Sequence, residues 1–198
     1  MATSPRTRVP FRRRRQGKTD YRRRLALLRS EETRLVVRRT SANVIVQFVD
    51  WDQNGDLVKA TAVAQELAKL GWEGSSKNTP AAYLTGLLAG KRAAAAGVSS
   101  AVLDIGRRPP TKGSRVFAAL KGVLDAGIDV PHGEDGIYPS EERLNGAFLD
   151  LETNFNAVKA KIGSGDQKGS GPASAAHKGS AVGATPKASA AKSNDEEE

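Results

Sequence analysis

Ten cations stand within the first 24 residues: Arg6, Arg8, Arg12, Arg13, Arg14, Arg15, Lys18, Arg22, Arg23 and Arg24. Nine of the ten are arginine. A guanidinium forks onto two phosphate oxygens at once and stacks on a base, which an ammonium does not do. Phe11 and Tyr21 are interleaved with these cations, at a spacing that lets aromatic rings stack on unpaired bases. The chemistry on offer is therefore recognition of a polyanion carrying exposed bases, that is, of RNA. A solvated basic face and a presequence are the alternatives. The density of charge exceeds what solubility requires.

A second set lies between residues 107 and 115. Arg107, Arg108, Lys112 and Arg115 surround Gly113-Ser114, where a helix is expected to start. The N–H groups of a helix N-terminus form a seat for phosphate. A nucleotide-hydrolase loop requires the order Gly-Lys-Ser/Thr, whereas the order here is Lys-Gly-Ser, which argues against a nucleotide site. An RNA phosphate contact through Ser114 and a plain capped helix start both remain open. A third set is Lys77, Asn78 and Thr79, in the Gly-rich loop that begins at Gly71-Trp72. The loop has few bulky side chains and can approach a sugar–phosphate backbone closely, while Trp72 is expected to cap the core. Arg38 and Arg39, at the end of the first expected strand, complete the candidate RNA-binding residues.

Other chemistry finds little support. Asp50, Asp52 and Asp56 cluster at a turn, but no glutamate completes a calcium loop. Glu134, Asp135, Glu141 and Glu142 form no acid–base pair, and His132 has no evident nucleophile beside it. Cysteine is absent and His132 and His177 lack ligand spacing, so neither a disulfide nor a metal site is expected. The expectation is a protein that is not an enzyme and needs no cofactor or metal. No run of about 18 apolar residues suggests a membrane partner, and no secretory signal is read in the sequence.

The charge is unevenly placed. Residues 1–40 carry 14 Lys and Arg against 3 Asp and Glu, whereas the remainder carries 17 against 19. The overall charge of +9 is thus a property of the N-terminus, and a field that compact implies a polyanionic partner.

Four parts are expected to position these groups: a basic arm over residues 1–24, an α/β core over 25–130, a loop and helix over 131–162, and a low-complexity tail over 163–198. Pro5, Pro10 and Gly17 keep the arm from being one helix, and the arm is expected to be extended and to order on RNA. The tail lacks the large apolar residues that would offset its ordering entropy and is expected to be disordered. Within the core, residues 35–39 and 44–49 read as strands joined by a hairpin, and Asn54-Gly55 turns the chain into a third strand at 57–60. A helix is predicted over 61–70, ending at Gly71. Asn78 or Thr79 caps a further helix that has Pro80 at its first position and ends at Gly97. Residues 101–105 read as a short buried strand. The next helix opens near Ser114 with Val116, Phe117, Leu120, Val123 and Leu124 inward. A final helix runs from Ser140 with Leu144, Phe148, Leu151, Phe155 and Val158 on its apolar stripe. The fold class is α/β: an antiparallel β-meander plus a further strand in a mixed sheet packed against helices.

Several stretches, in order, resemble the universal large-subunit ribosomal proteins of the L-eighteen family in their archaeal and eukaryotic form. They are Val9-Pro10-Phe11-Arg12-Arg13-Arg14-Arg15, Gly17-Lys18-Thr19-Asp20-Tyr21 and Arg34-Leu35-Val36-Val37-Arg38, followed by residues 78–86, Val102-Leu103-Asp104-Ile105-Gly106 and residues 112–122. The resemblance covers about residues 5–155, and the length looks archaeal. It implies a non-catalytic protein, cytoplasmic in the ribosome, that binds 5S ribosomal RNA and docks it in the central protuberance. Large-subunit (23S-type) ribosomal RNA and neighbouring ribosomal proteins are the other implied partners. The tail is outside the pattern. A non-ribosomal RNA-binding or RNA-modifying protein with a docking arm is the alternative, but no cofactor pocket is legible. DNA is not expected as a partner, because the helices over 80–96 and 114–126 are Ala-rich and apolar rather than base-reading.

Overall fold

A computed structural model of the chain describes residues 8–133 and 136–164. Arg6, Glu134, Asp135 and the tail from residue 165 lie outside the described residues. The chain begins with two short helices, α1 (Arg12–Arg15) and α2 (Tyr21–Leu28), so the arm is not wholly extended. Asp20 explains the second of these: its carboxylate accepts hydrogen bonds from the N–H groups of Arg22 and Arg23 and caps the helix. Neither helix buries a residue.

Three strands follow, β1 (Arg34–Arg39), β2 (Val44–Asp50) and β3 (Leu57–Val63). They form the expected antiparallel meander, and β4 (Val102–Asp104) joins β1 in parallel, giving the order β3-β2-β1-β4. The hairpin between β1 and β2 is closed by Thr40, whose hydroxyl accepts from Asn43 N–H at 2.9 Å. Between β2 and β3, the register passes from Phe48↔Ala60 to Val49↔Val58, so Lys59 is the extra residue of a bulge.

Two helices cover one face of this sheet. α3 (Thr79–Ala95) packs on β2 and β3, and α4 (Arg115–Asp125) packs on β1 and along α3. Leu35, Val37, Val46, Phe48, Leu84, Leu88, Leu120 and Val123 are at most 2% exposed and form the interior. The helices cross closely because their contact is built on glycine. A Cβ at Gly86 would stand 2.8 Å from the carbonyl carbon of Ala119, and one at Gly122 would stand 2.8 Å from the amide nitrogen of Leu87. Tyr83 fastens the crossing by donating its hydroxyl to Asp125 at 2.6 Å.

The structure corrects three expectations. Residues 61–70 are not an α-helix: Thr61, Ala62 and Val63 extend β3 opposite Gln47, Val46 and Ile45, and Ala64–Leu70 is a 3-10 helix. The ladder satisfies those backbone groups, and Glu66 takes the Val63 N–H at 3.1 Å, so the sheet outweighs the helical apolar pattern. The strand expected over 101–105 is trimmed to three residues, because the Asp104 carboxylate turns back to accept from Gly106 N–H at 2.7 Å. The final helix is broken into α5 (Glu141–Asn145), a 3-10 turn (Ala147–Leu149) and α6 (Glu152–Gly163). Gly146 and Asp150 are left-handed at φ of 76° and 53°, which no continuous helix allows. Leu144, Phe155 and Val158 stay buried, but Phe148 is 60% exposed.

Candidate nucleic-acid interface

Strand periodicity sets the first part of the site. Leu35 and Val37 of β1 point into the core, so Arg34, Val36 and Arg38 share the opposite face. Asp104 of β4 and Asp56 of the turn before β3 meet them there. Arg38 donates to the Asp104 carbonyl at 2.6 Å and to its carboxylate at 2.9 Å. Arg34, whose side chain is 3% exposed, lies 2.9 Å from Asp56 and 3.9 Å from Asp104. Its Nε has no hydrogen-bond partner among the described residues, so Coulomb attraction holds this guanidinium more than aligned hydrogen bonds do.

The arm is tied onto that face. Arg24 of α2 bridges Asp56 with bonds of 3.0 and 3.1 Å. Arg23 reaches the carbonyl of Gly106 at 3.4 Å, and Arg107 donates to the carbonyl of Gly17. Gly17 is at φ of 63°, and its turn reverses the chain between α1 and α2. Burial raises the pKa of Asp56, but the guanidinium groups of Arg34 and Arg24 outweigh it and hold the carboxyl below its ordinary value.

These ties enclose an open cleft of about 840 Å³ whose walls include Arg13, Lys18, Arg23, Arg39, Arg107 and Arg108. A second hollow, of about 560 Å³, lies beside it between Arg14, Arg22, Tyr21 and Arg107. Phe11 and Tyr21 are mutually tilted, with ring centroids 6.2 Å apart, and both are exposed.

The loop before α3 and the start of α4 meet on the same side of the molecule as Arg39. Asn78 caps α3 by accepting from Ala81 N–H at 2.9 Å, and Arg115 donates to the Lys77 carbonyl at 2.5 Å. Burial lowers the pKa of Arg115, and the nearby charges of Arg39 and Arg108 lower it further, so three cations crowd one another there. Among the described residues, none of the three is in an ion pair with a carboxylate. Ser114 stands at the cap of α4 without a side-chain capping bond.

The candidate residues thus divide by environment. Arg8, Arg12, Arg13, Arg14, Arg15, Lys18, Arg22, Lys77, Arg107, Arg108 and Lys112 are exposed, with Arg13 engaged by the Thr19 hydroxyl and Arg107 by the Gly17 carbonyl. Arg24 and Arg38 are half-buried and ion-paired, and Arg23 has a looser partner in Asp20 at 3.8 Å. Thr79 is buried in the first turn of α3. Arg34, Asp56 and Asp104, which fasten the arm, escape a search for RNA-binding residues. The cap at Asp20 carries the one legible signal, a carboxylate directly before a helical run. Asp50 is likewise engaged, accepting from Thr33 at 2.7 Å and lying 2.5 Å from Lys59. Asp50 and Asp56 of the acidic turn are therefore fasteners, whereas Asp52 is exposed. Among the described residues, no group of His, Asp and Glu could hold a metal ion. No described helix is long and apolar enough to cross a membrane.

The family model described as "Ribosomal large subunit proteins 60S L5, and 50S L18" matches residues 5–99 and 93–133. The chain is 61% identical over 149 residues to the "Large ribosomal subunit protein uL18" of Korarchaeum cryptofilum, covering 75% of this chain and 76% of that one. It is 52% identical over 169 residues to the protein of the same name from Methanococcoides burtonii, covering 82% of this chain and 97% of the relative. The uL18 protein of Methanothermobacter thermautotrophicus is 53% identical over 149 residues, 75% of this chain and 77% of its own. On these matches the chain belongs to the archaeal-type uL18 family of large-subunit ribosomal proteins, a structural and not an enzymatic family.

Proposed function

We propose that the protein binds 5S ribosomal RNA and attaches it to 23S-type ribosomal RNA in the central protuberance of the large subunit, beside neighbouring ribosomal proteins. The observation that carries this reading is the convergence of an exposed arginine arm and the Arg39, Arg107 and Arg108 side chains on one cleft. Phosphate neutralisation supplies most of the affinity. The core supplies register, because Arg24, Arg23 and Arg107 fix where the arm leaves the sheet. Phe11 and Tyr21 offer rings to unpaired bases.

The test is binding of the full chain and of a variant lacking residues 1–24 to 5S ribosomal RNA, against transfer RNA, over a salt series. The full chain binds 5S RNA in the presence of competitor. Truncation removes ten cations; with half of them on phosphates, the salt slope falls by about 4. Equal, salt-labile binding to both RNAs would reduce the arm to a generic polycation and overturn the reading.

A further inference from the structure

Phe148 is one of the large apolar side chains that the fold leaves outside, with Phe11 and Trp51. It is 60% exposed, beside Leu149 at 42%, in a segment whose other large residues are inward. The segment is not a loose loop. Leu149 N–H bonds to the Gly146 carbonyl at 2.9 Å, Asp150 N–H to that of Ala147 at 3.1 Å, and Leu151 N–H to that of Gly146 at 3.2 Å. The turn is anchored on one side by buried Leu144 and on the other by Leu151, whose side chain lies against Gly74. Two left-handed residues, Gly146 and Asp150, hold the ring outward. Asp150 is a non-glycine residue in that conformation, which is strained and persists only where the surroundings enforce it.

The ring does not face plain solvent. Phe148 and Leu149 line an open cleft of about 710 Å³ together with Lys77, Asn78, Thr79 and Arg115. Arg115 lies within the field of Arg39 and Arg108, and none of the three is ion-paired with a carboxylate among the described residues. Among the described residues, Glu73 is the one acidic side chain lining the cleft, against Lys77 and Arg115, so their summed charge is positive. An exposed aromatic ring that lines one cleft with Lys77 of the glycine-rich loop and Arg115 at the start of α4 suits a nucleotide: the ring carries the base, the cations carry its phosphate. A base-paired nucleotide cannot use it, since its faces are already stacked within the helix.

We propose that the cleft between the Ala147–Leu149 turn and the Lys77–Thr79 loop binds one unpaired nucleotide of RNA, with its base stacked on Phe148 and its phosphate held by Lys77 and Arg115. The inference rests on the RNA-binding reading above and adds a second contact, on the far side of Arg39 and Arg108 from the arm. It gives the protein a means of recognising a bulge or loop, which phosphate contacts alone do not supply.

The test uses the full chain with 5S ribosomal RNA in vitro and with deproteinised large-subunit ribosomal RNA in parallel. Wild type, Phe148→Ala, Phe148→Trp and Lys77→Ala are compared by affinity at several salt concentrations and by chemical probing of unpaired bases. Phe148→Ala is expected to weaken binding to one of the RNAs roughly five- to hundredfold with an unchanged salt slope, because stacking releases no counterions. Phe148→Trp restores binding, and Lys77→Ala lowers the slope. One unpaired base protected by wild type becomes reactive with Phe148→Ala. A thermal melt of Phe148→Ala matching wild type shows that the ring is not a core residue. If wild type binds tightly and Phe148→Ala changes neither affinity nor any base's reactivity on either RNA, the inference is overturned while the function stands. Loss of the variant's incorporation into subunits with RNA binding intact would also overturn it and assign the patch to a protein neighbour. Failure of wild type itself to bind either RNA would sink the functional reading first.

Discussion

Replacing Gly86 with alanine sets two terms of known sign against each other. Gly86 lies in the middle of α3, where alanine is favoured over glycine by about 1 kcal/mol from backbone entropy. Its missing Cβ, however, is the space into which α4 packs. The built Cβ would stand 2.8 Å from the carbonyl carbon and 2.9 Å from the Cα of Ala119, against 3.4 Å for an ordinary contact. The obstructing atoms are backbone, the nearest of them the Ala119 carbonyl oxygen, so no side chain can swing away and α3 and α4 must part by about 1 Å at the crossing. Overpacking of this kind costs about 1–3 kcal/mol in a well-packed core, and occasionally more. Parting also stretches the 2.6 Å bond from Tyr83 to Asp125. The expected net is a destabilisation of about 1–2 kcal/mol, read as a fall in Tm of about 2–8 °C for a chain of this size. Thermal and urea unfolding followed by circular dichroism measure it. RNA affinity should fall too, because the Lys77–Arg115 bond spans the N-terminal ends of the same two helices. Gly122→Ala, combined with Gly86→Ala, should cost less than the sum, since helices already parted for one methyl accept the second. A Tm that rises on Gly86→Ala would mean that propensity wins and that the crossing is looser than described.

Leu120→Ala removes a fully buried side chain and should destabilise by roughly 2–5 kcal/mol in urea unfolding; a change under about 1 kcal/mol would misplace the core face of α4. Asp56→Asn leaves Arg34 buried with only the more distant Asp104 carboxylate, and should cost about 2–3 kcal/mol at pH 7, below the usual range for breaking a buried pair. The folded pKa of Asp56 is depressed, so its contribution is complete above the ordinary carboxylate value near 4 and is lost as pH falls through the folded value. Stability measured at pH 7 and pH 3 should therefore differ less in Asp56→Asn than in wild type, and an identical difference would contradict the assignment.

Much of the fold is legible in the sequence because local signals and tertiary demands agree. Asn78 with Pro80 marks the start of α3, the stripe from Val116 to Val123 marks α4, and the β-branched runs of β1 and β2 mark a hairpin. The failures occur where they disagree. Leu67 and Leu70 have helical spacing, but the free edges of Thr61 to Val63 find partners on β2, a gain invisible to a local window. Phe148 fits the apolar stripe of one long helix, yet Gly146 and Asp150, two residue types that tolerate the left-handed region, break the helix on either side and the ring is exposed. The charged residues were legible as a class but not in their roles. Arg34 and Arg38 look like Arg39 in the sequence, and only the strand's alternation with Asp104 and Asp56 opposite separates fasteners from free cations.

The bond from Arg107 to the Gly17 carbonyl joins residues 90 positions apart, which bears on the order in which the protein is made. The arm leaves the translating ribosome first, and its docking partner follows 90 residues later. At roughly 5–20 residues per second, the arm spends about 5–18 seconds without the surface that orients it. During that interval it is a bare polycation in a compartment crowded with RNA, and any discrimination contributed by the core is absent. On the proposed function, selectivity for the RNA would be acquired late in synthesis, when β4 closes onto β1 and brings Gly106 and Arg107 into position.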